Sequence, residues 1–200
     1  MNYTTSDIQA WLQQCTERMT SAAAELNELD GRLGDGDLGA TLEKCASLMR
    51  EALAAPAATP CDVFKACAAA CTRASGSSFG TLMAVAFMTL TKHTLGRTTL
   101  ERSDVAPLLG QVIEALMARG RSKPGDKTML DSLEAIRRAA ANGDCETLHH
   151  QSRSAALQAL EDFRDRPNLI GRARMFGEKS IGLDDPGMLA VARLLGAPRI

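Results

Sequence analysis

An all-α fold, a bundle or barrel of about eight helices, is predicted by three features of this 200-residue chain. Valine and isoleucine are sparse while alanine is abundant. No stretch alternates apolar and polar residues with period two. Apolar residues instead recur at three- and four-residue steps, interrupted by short junctions rich in Gly, Pro and Asp.

Ile8, Trp11, Leu12, Cys15, Met19, Ala22, Ala23, Leu26 and Leu29 share one face of a first helix, opened by Thr5 or Ser6 and ending before Asp30. A second helix follows a glycine-rich junction, with Leu42, Cys45, Leu48, Met49 and Leu53 on one side. After a Pro/Ala linker, Pro60 opens a third through Val63, Phe64, Cys67 and Cys71. Glycines 76 and 80 break the pattern before an apolar fourth helix from Leu82 to about Lys92. Ser103 and Asp104 start a fifth, running through Leu108, Val112, Ile113, Leu116 and Met117 to Gly120. Asp126 is expected to cap a sixth, with Met129, Leu130, Leu133 and Ile136 inward and Asn142-Gly143 as its stop. Asp144 opens a seventh, through Leu148, Ala156, Leu160 and Phe163; a polar loop over residues 164–185 then leads to a short last helix after Pro186.

One domain spanning residues 1–200 is expected, since neither an internal repeat nor a shift of composition divides the chain. A formal charge of −1 leaves no basic footprint for nucleic acid. The six cysteines contain no Cys-x2-Cys pair, and Cys61, Cys67 and Cys71 lie in an alanine-rich helix, so reduced, buried thiols in a cytoplasm are expected. No basic segment followed by an apolar run suggests a signal peptide. The longest apolar stretch, residues 82–90, is too short for a bilayer, and no membrane partner is expected.

The most informative segment is Leu-Asp-Gly-Arg-Leu-Gly-Asp-Gly-Asp-Leu-Gly at residues 29–39, with three aspartates and four glycines in eleven positions. The spacing Asp30-x4-Asp35-x-Asp37 matches neither helical nor strand period, so convergence of the carboxylates calls for a glycine-rich loop. Clustered carboxylates repel unless a cation neutralises them, and an all-oxygen set suits Mg2+ or Ca2+. The same residue types are also ordinary turn formers. The other glycine-rich segments, residues 74–80, 120–128 and 171–187, also fall at helix junctions. In an up-and-down array alternate junctions share one end, and helices that start there aim amides and positive dipole ends at a common rim suited to phosphate.

Four blocks occur in order: Asp30-x4-Asp35-Gly36-Asp37-x-Gly39; Ala74-Ser75-Gly76; Arg119-Gly120-x3-Pro124-Gly125-Asp126-Lys127-Thr128-Met129; and Gly171-Arg172-Ala173 with Gly177-Glu178, Ser180-Ile181-Gly182 and Asp185-Pro186-Gly187. With Ile8-x2-Trp11-Leu12 ahead of them, this pattern closely resembles the nucleotide-binding L subunit of dihydroxyacetone kinases (DhaL) and the matching domain of ATP-dependent dihydroxyacetone kinases, over nearly the whole chain. The resemblance implies a closed barrel of eight antiparallel helices with ADP or ATP and two Mg2+ ions at one rim. It assigns the metal to Asp30, Asp35 and Asp37, the phosphates to Leu38, Gly39, Ala40 and Thr41, and further phosphate or ribose contacts to Ala74 and Ser75. Nearer the base it assigns Gly120 and Met129, with Arg172, Asp185, Pro186 and Gly187 closing the site. Lys127 is left open, as a phosphate contact or a partner of Asp126 or Asp131.

The implied activity is phosphoryl transfer to the hydroxyl of dihydroxyacetone or a related small ketose, as in glycerol metabolism. The ketose is held covalently by a partner K subunit, and no ketose pocket or catalytic residue is assigned to this chain. The donor is either exchangeable ATP or ADP recharged by a phosphohistidine protein of a phosphotransferase system. A homodimer is a further expectation of the same kind. Two other readings stay open: a nucleotide-loaded regulatory module bound to a transcription factor or kinase partner without turnover, and a scaffold that has lost its nucleotide. Two departures stand out. Leu38 occupies the family's usual histidine position, where a leucine side chain has no donor to offer; reversion to histidine is expected to be tolerated and to strengthen nucleotide retention. Residues 76–80 lack the family's usual proline. His93, His149 and His150 lie outside all four blocks.

Overall fold

A computed structural model describes residues 2–74, 76–142 and 147–198. Among them the order is β1 (Asn2–Thr4), α1 (Thr5–Leu33), α2 (Leu38–Ala52), α3 (Pro60–Ala74), α4 (Ser78–His93), β2 (Thr99–Glu101), α5 (Arg102–Gly120), α6 (Met129–Ala141), α7 (Leu148–Arg164), a 3-10 segment Ala173–Ser180, and α8 (Pro186–Leu194). Each helix packs on the next in sequence, and α8 packs on α7, α6 and α1, so the up-and-down array closes into a ring. Alternation puts the even-numbered helix starts at one rim, and Gly187 at the start of α8 lies against Met129 at the start of α6.

The core follows the apolar stripes. Leu12, Met19 and Leu26 of α1 meet Leu42, Cys45 and Met49 of α2, Val63, Cys67 and Cys71 of α3, and Met188 and Ala192 of α8. A smaller cluster joins Val112, Ile113 and Leu116 of α5 to Leu130 of α6. The cysteines at 15, 45, 61, 67 and 71 are free and buried, and burial pushes the Cys15 and Cys67 thiols up to about 12. Cys145 and Asp144, the expected opener of α7, lie outside the described residues; the α7 cap that is seen is Thr147.

Several boundaries differ from the sequence reading. The α1 cap is Thr4, whose hydroxyl accepts from Asp7 N while Asp7 accepts from Thr4 N. The same helix runs past Asp30 to Leu33, because Leu33 is drawn into the core and keeps the last turn helical. α4 starts at Ser78 rather than Leu82, with Ser77 accepting from Gly80 N. α6 is capped by Thr128 and Asp131, not by Asp126, which accepts from Lys123 N and shapes the turn ahead of the helix. Residues 164–185 include the 3-10 segment, broken at Gly177 with φ +51°. An antiparallel pair β1–β2, with Tyr3 opposite Leu100, joins the two segments ahead of α1 and α5 and was not expected from the sequence. Three-residue strands are too short to show an alternating pattern.

Candidate functional site: a carboxylate cluster at one rim

The three aspartates converge, by a different route from the loop expected. Asp30 stands on the last turn of α1, while Asp35 and Asp37 occupy the turn into α2, and one carboxylate oxygen from each lies within 4.8 Å of the others. Asp30 Oδ2 accepts from Asp37 N at 2.9 Å and Leu38 N at 3.2 Å, folding the turn around itself. Two glycines permit this: a Cβ at Gly34 would sit 2.6 Å from Asp30 Oδ1, and Gly36 has φ +73°. Burial raises Asp30 above the usual carboxylate range, and the Asp35 and Asp37 charges add to it against the two amide bonds. A hard divalent cation relieves that repulsion, and the all-carboxylate donor set fits Mg2+ or Ca2+.

The start of α2 is held by a residue the sequence analysis missed. Asn27 Oδ1 accepts from Gly39 N at 2.7 Å and Ala40 N at 3.1 Å. It acts as an N-cap supplied by the neighbouring helix, while Asp37 at the N-cap position makes no side-chain cap bond. Nothing local to α1 marks it, because its amide bonds the start of another helix. Gly39 is required by contact, since a Cβ there would lie 1.9 Å from Ala23 O. The amides of Leu38, Gly39 and Ala40 are therefore engaged within the protein, and Thr41 N bonds Asp37 O as part of the helix. The Leu38 side chain is 5% exposed and packs in the main core. A histidine at 38 would be buried rather than displayed, which corrects the expectation that it is tolerated.

Of the other predicted site residues, Arg172 has a contact with this cluster: carried by the 165–185 segment, it forms an ion pair with Asp35. Met129 opens α6 and touches the start of α8: a Cβ on Gly187 would lie 3.6 Å from Met129 Cβ. Asp185 caps α8 by accepting from Met188 N at 2.9 Å, ahead of Pro186. Burial raises its pKa to about 6, against the stabilising amide bonds. Gly120 ends α5, exposed, beside Leu82 of α4. Ala74 ends α3 and is buried in the core, so its side chain faces away from the rim. Ser75 lies outside the described residues. Lys127 reaches neither the cluster nor Asp126 or Asp131; it is 1% exposed and its Nζ donates to the carbonyls of Arg164, Arg166 and Ser180. A cleft of about 450 Å³ flanks α1 and α8; four of its charged side chains pair with one another, Arg164 with Asp184 and Arg193 with Glu25, and Glu28 and Arg32 also line it.

The DAK2 domain profile matches residues 32–198. This chain belongs to the DAK2 domain family. Across 188 residues this DAK2 domain is 31% identical to the ADP-binding subunit DhaL of PEP-dependent dihydroxyacetone kinase 1 from Listeria innocua, covering 94% of this chain and 91% of that one. It is 32% identical over 190 residues to the ADP-binding subunit DhaL of the PTS-dependent dihydroxyacetone kinase of Lactococcus lactis, covering 92% and 91%. In fold, the DAK2 domain matches the dihydroxyacetone kinase of C. freundii in complex with AMP-PNP and Mg2+ with a TM-score of 0.75 at 21% identity, over 98% of this chain and 34% of that one. Among the described residues, no helix is long and apolar enough to cross a membrane.

Proposed function

We propose that this DAK2 domain is the nucleotide-binding subunit of a kinase that phosphorylates dihydroxyacetone or a related small ketose held by a separate K subunit. The observation that carries the reading is the cluster of Asp30, Asp35 and Asp37, one carboxylate oxygen of each lying within 4.8 Å of the others at the start of α2. Full-length similarity to two ADP-binding subunits supports it. The three aspartates hold Mg2+, two ions in this reading, which neutralise phosphate charge and orient the transferred group.

The remaining work belongs to the chain's own groups. The amides of Leu38, Gly39 and Ala40 are already bonded, so phosphate oxygens meet the Thr41 hydroxyl and the Arg172 guanidinium instead. Arg172 exchanges Asp35 for phosphate when nucleotide is bound. Met129 and Gly187 form a surface for the base where α6 and α8 begin. No histidine belongs to these segments, which matches a division of labour in which the K subunit holds and activates the acceptor hydroxyl. The donor is ATP formed in place when a phosphohistidine protein passes its phosphoryl group to ADP retained on this subunit; transfer to the ketose hydroxyl returns it to ADP, and the setting is the cytoplasm.

Calorimetric titration with ADP and ATP, each with and without Mg2+, tests the reading. Tight Mg2+-dependent binding that favours ADP is expected. Comparable, freely exchanging binding of both nucleotides replaces the recharged-ADP scheme with an ATP-dependent one. Absence of binding to either refutes the proposed role.

A further inference from the structure

Lys127 lies in the Pro-Gly-Asp-Lys-Thr-Met block yet takes no part in the carboxylate cluster. It is the most deeply buried charged side chain among the described residues, and it adopts φ +60°, a backbone region that side chains rarely enter. Its partners are backbone groups. The ammonium places its three N–H donors on Arg164 O at 3.0 Å, Arg166 O at 2.7 Å and Ser180 O at 3.0 Å. Two of these carbonyls stand where α7 ends and the third where the 3-10 segment ends. One cation therefore gathers both ends of the intervening segment, which carries Arg172 between them.

Further bonds reinforce the same gathering point. Asn168 Nδ2 donates to Lys127 O at 2.8 Å and to Asp185 Oδ2 at 2.9 Å, while Asn168 N donates to Ser180 Oγ at 3.0 Å. Leu169 N reaches Asp126 O at 3.1 Å, and Gly182 N reaches Arg164 O at 2.9 Å. Burying an ammonium is costly, and an apolar residue would fill the same space with less desolvation. What an apolar residue lacks is three directed donors to fix the course of an otherwise irregular segment. Arg172 is the residue of that segment that meets the carboxylate cluster, through Asp35.

We propose that Lys127 is a positioning residue for Arg172: by clasping residues 164, 166 and 180 it sets the segment so that the guanidinium stands over the aspartates and, with nucleotide bound, on the phosphates. The proposal rests on the nucleotide reading above. Positioning errors of about 1 Å weaken such contacts steeply.

The test is a double-mutant cycle on the whole chain, Lys127→Met and Arg172→Ala, with Mg2+–ADP affinity read by calorimetry and thermal stability by circular dichroism. If Lys127 acts through Arg172, Lys127→Met weakens Mg2+–ADP binding about tenfold in the wild-type background and less than twofold in Arg172→Ala, while its loss of thermal stability is the same in both. In ligand-free protein, trypsin then cuts after Arg172 and Arg174 faster in Lys127→Met than in wild type. Unchanged affinity in Lys127→Met, or equal weakening in both backgrounds, overturns the proposal. Wild-type protein that does not bind Mg2+–ADP overturns the nucleotide reading instead, whereas Arg172→Ala that binds as wild type leaves that reading standing and overturns the proposal, since Arg172 then makes no contact worth positioning. Should Lys127→Met not fold, Asn168→Ser, which removes the bridge from Lys127 O to Asp185 and keeps the ammonium, carries the same expected non-additivity.

Discussion

Gly39→Ala offers a direct test of how the rim is built. The added methyl would stand 1.9 Å from Ala23 O, 2.7 Å from Ala23 C and 2.8 Å from Asn27 Oδ1. Two of these are backbone atoms inside α1, which cannot step aside without breaking that helix, so α2 must move. Overpacking of this kind costs about 1–3 kcal/mol. Displacing α2 also loosens the bonds from Gly39 N and Ala40 N to Asn27, each worth about 1 kcal/mol. The combined loss is about 3–5 kcal/mol, or roughly 6–20 °C in Tm for a chain of this size. Thermal melts by circular dichroism and urea titration both measure it. Because Asp37 directly precedes α2, Mg2+-dependent ADP binding should weaken more than stability alone explains. A melting point within 2 °C of wild type (less than about 1 kcal/mol) would refute the argument that Gly39 is required by contact with α1.

Other perturbations separate the roles of individual groups. Asp35→Asn should keep the helical circular dichroism signal and abolish Mg2+-dependent ADP binding in calorimetry; full retention of that binding rejects the metal assignment. Leu38→His should lower unfolding free energy by about 2 kcal/mol in urea titration, because it puts an imidazole into the main core. Arg193→Met should lower it by about 3 kcal/mol, since Glu25 loses partners at 2.5 and 2.8 Å and Pro198 O loses a donor. Asp185 gives a pH signature. Its folded pKa of about 6 lies above the ordinary 3.8, so the folded state binds its proton more tightly than the unfolded one. That contribution is fully present below about pH 4 and is lost as pH rises to about 6, a change of about 3 kcal/mol. Subtracting the stability profile of Asp185→Asn from that of wild type isolates it, and a flat difference between pH 4 and 7 rejects the raised pKa.

The helices were legible because their apolar stripes are long. Residues from Ile8 to Leu26 in α1 and from Leu42 to Leu53 in and after α2 name the core with little ambiguity. Boundaries failed where tertiary contact overrode local signals. Asp30 and Gly31 look like a helix stop, yet burial of Leu33 carries α1 through them. Asp126 has the composition of a cap, but Thr128 and Asp131 form the capping box two positions later. Within the site, Asp30, Asp35 and Asp37 were readable from composition and spacing. Asn27 was not, because its amide acts across helices and leaves no local pattern. Nor was the fate of Lys127: three carbonyls gathered from residues 164–180 have no signature in side-chain types.

Ring closure has a consequence for how the molecule is made. α8 is nine residues long and seals the array by meeting α1, through Arg193 on Glu25 and Arg18 on Leu194 O. These contacts join residues 168 to 176 positions apart, so during synthesis α1 emerges long before the helix that covers it. Until then the α1 face bearing Cys15, Met19 and Leu26 lacks part of its cover, and the nascent protein is an open arc with an apolar flank. A chain cut before Pro186 would stay in that state, prone to associate with its own copies. The shortest α-helix thus governs the moment at which the protein stops being sticky.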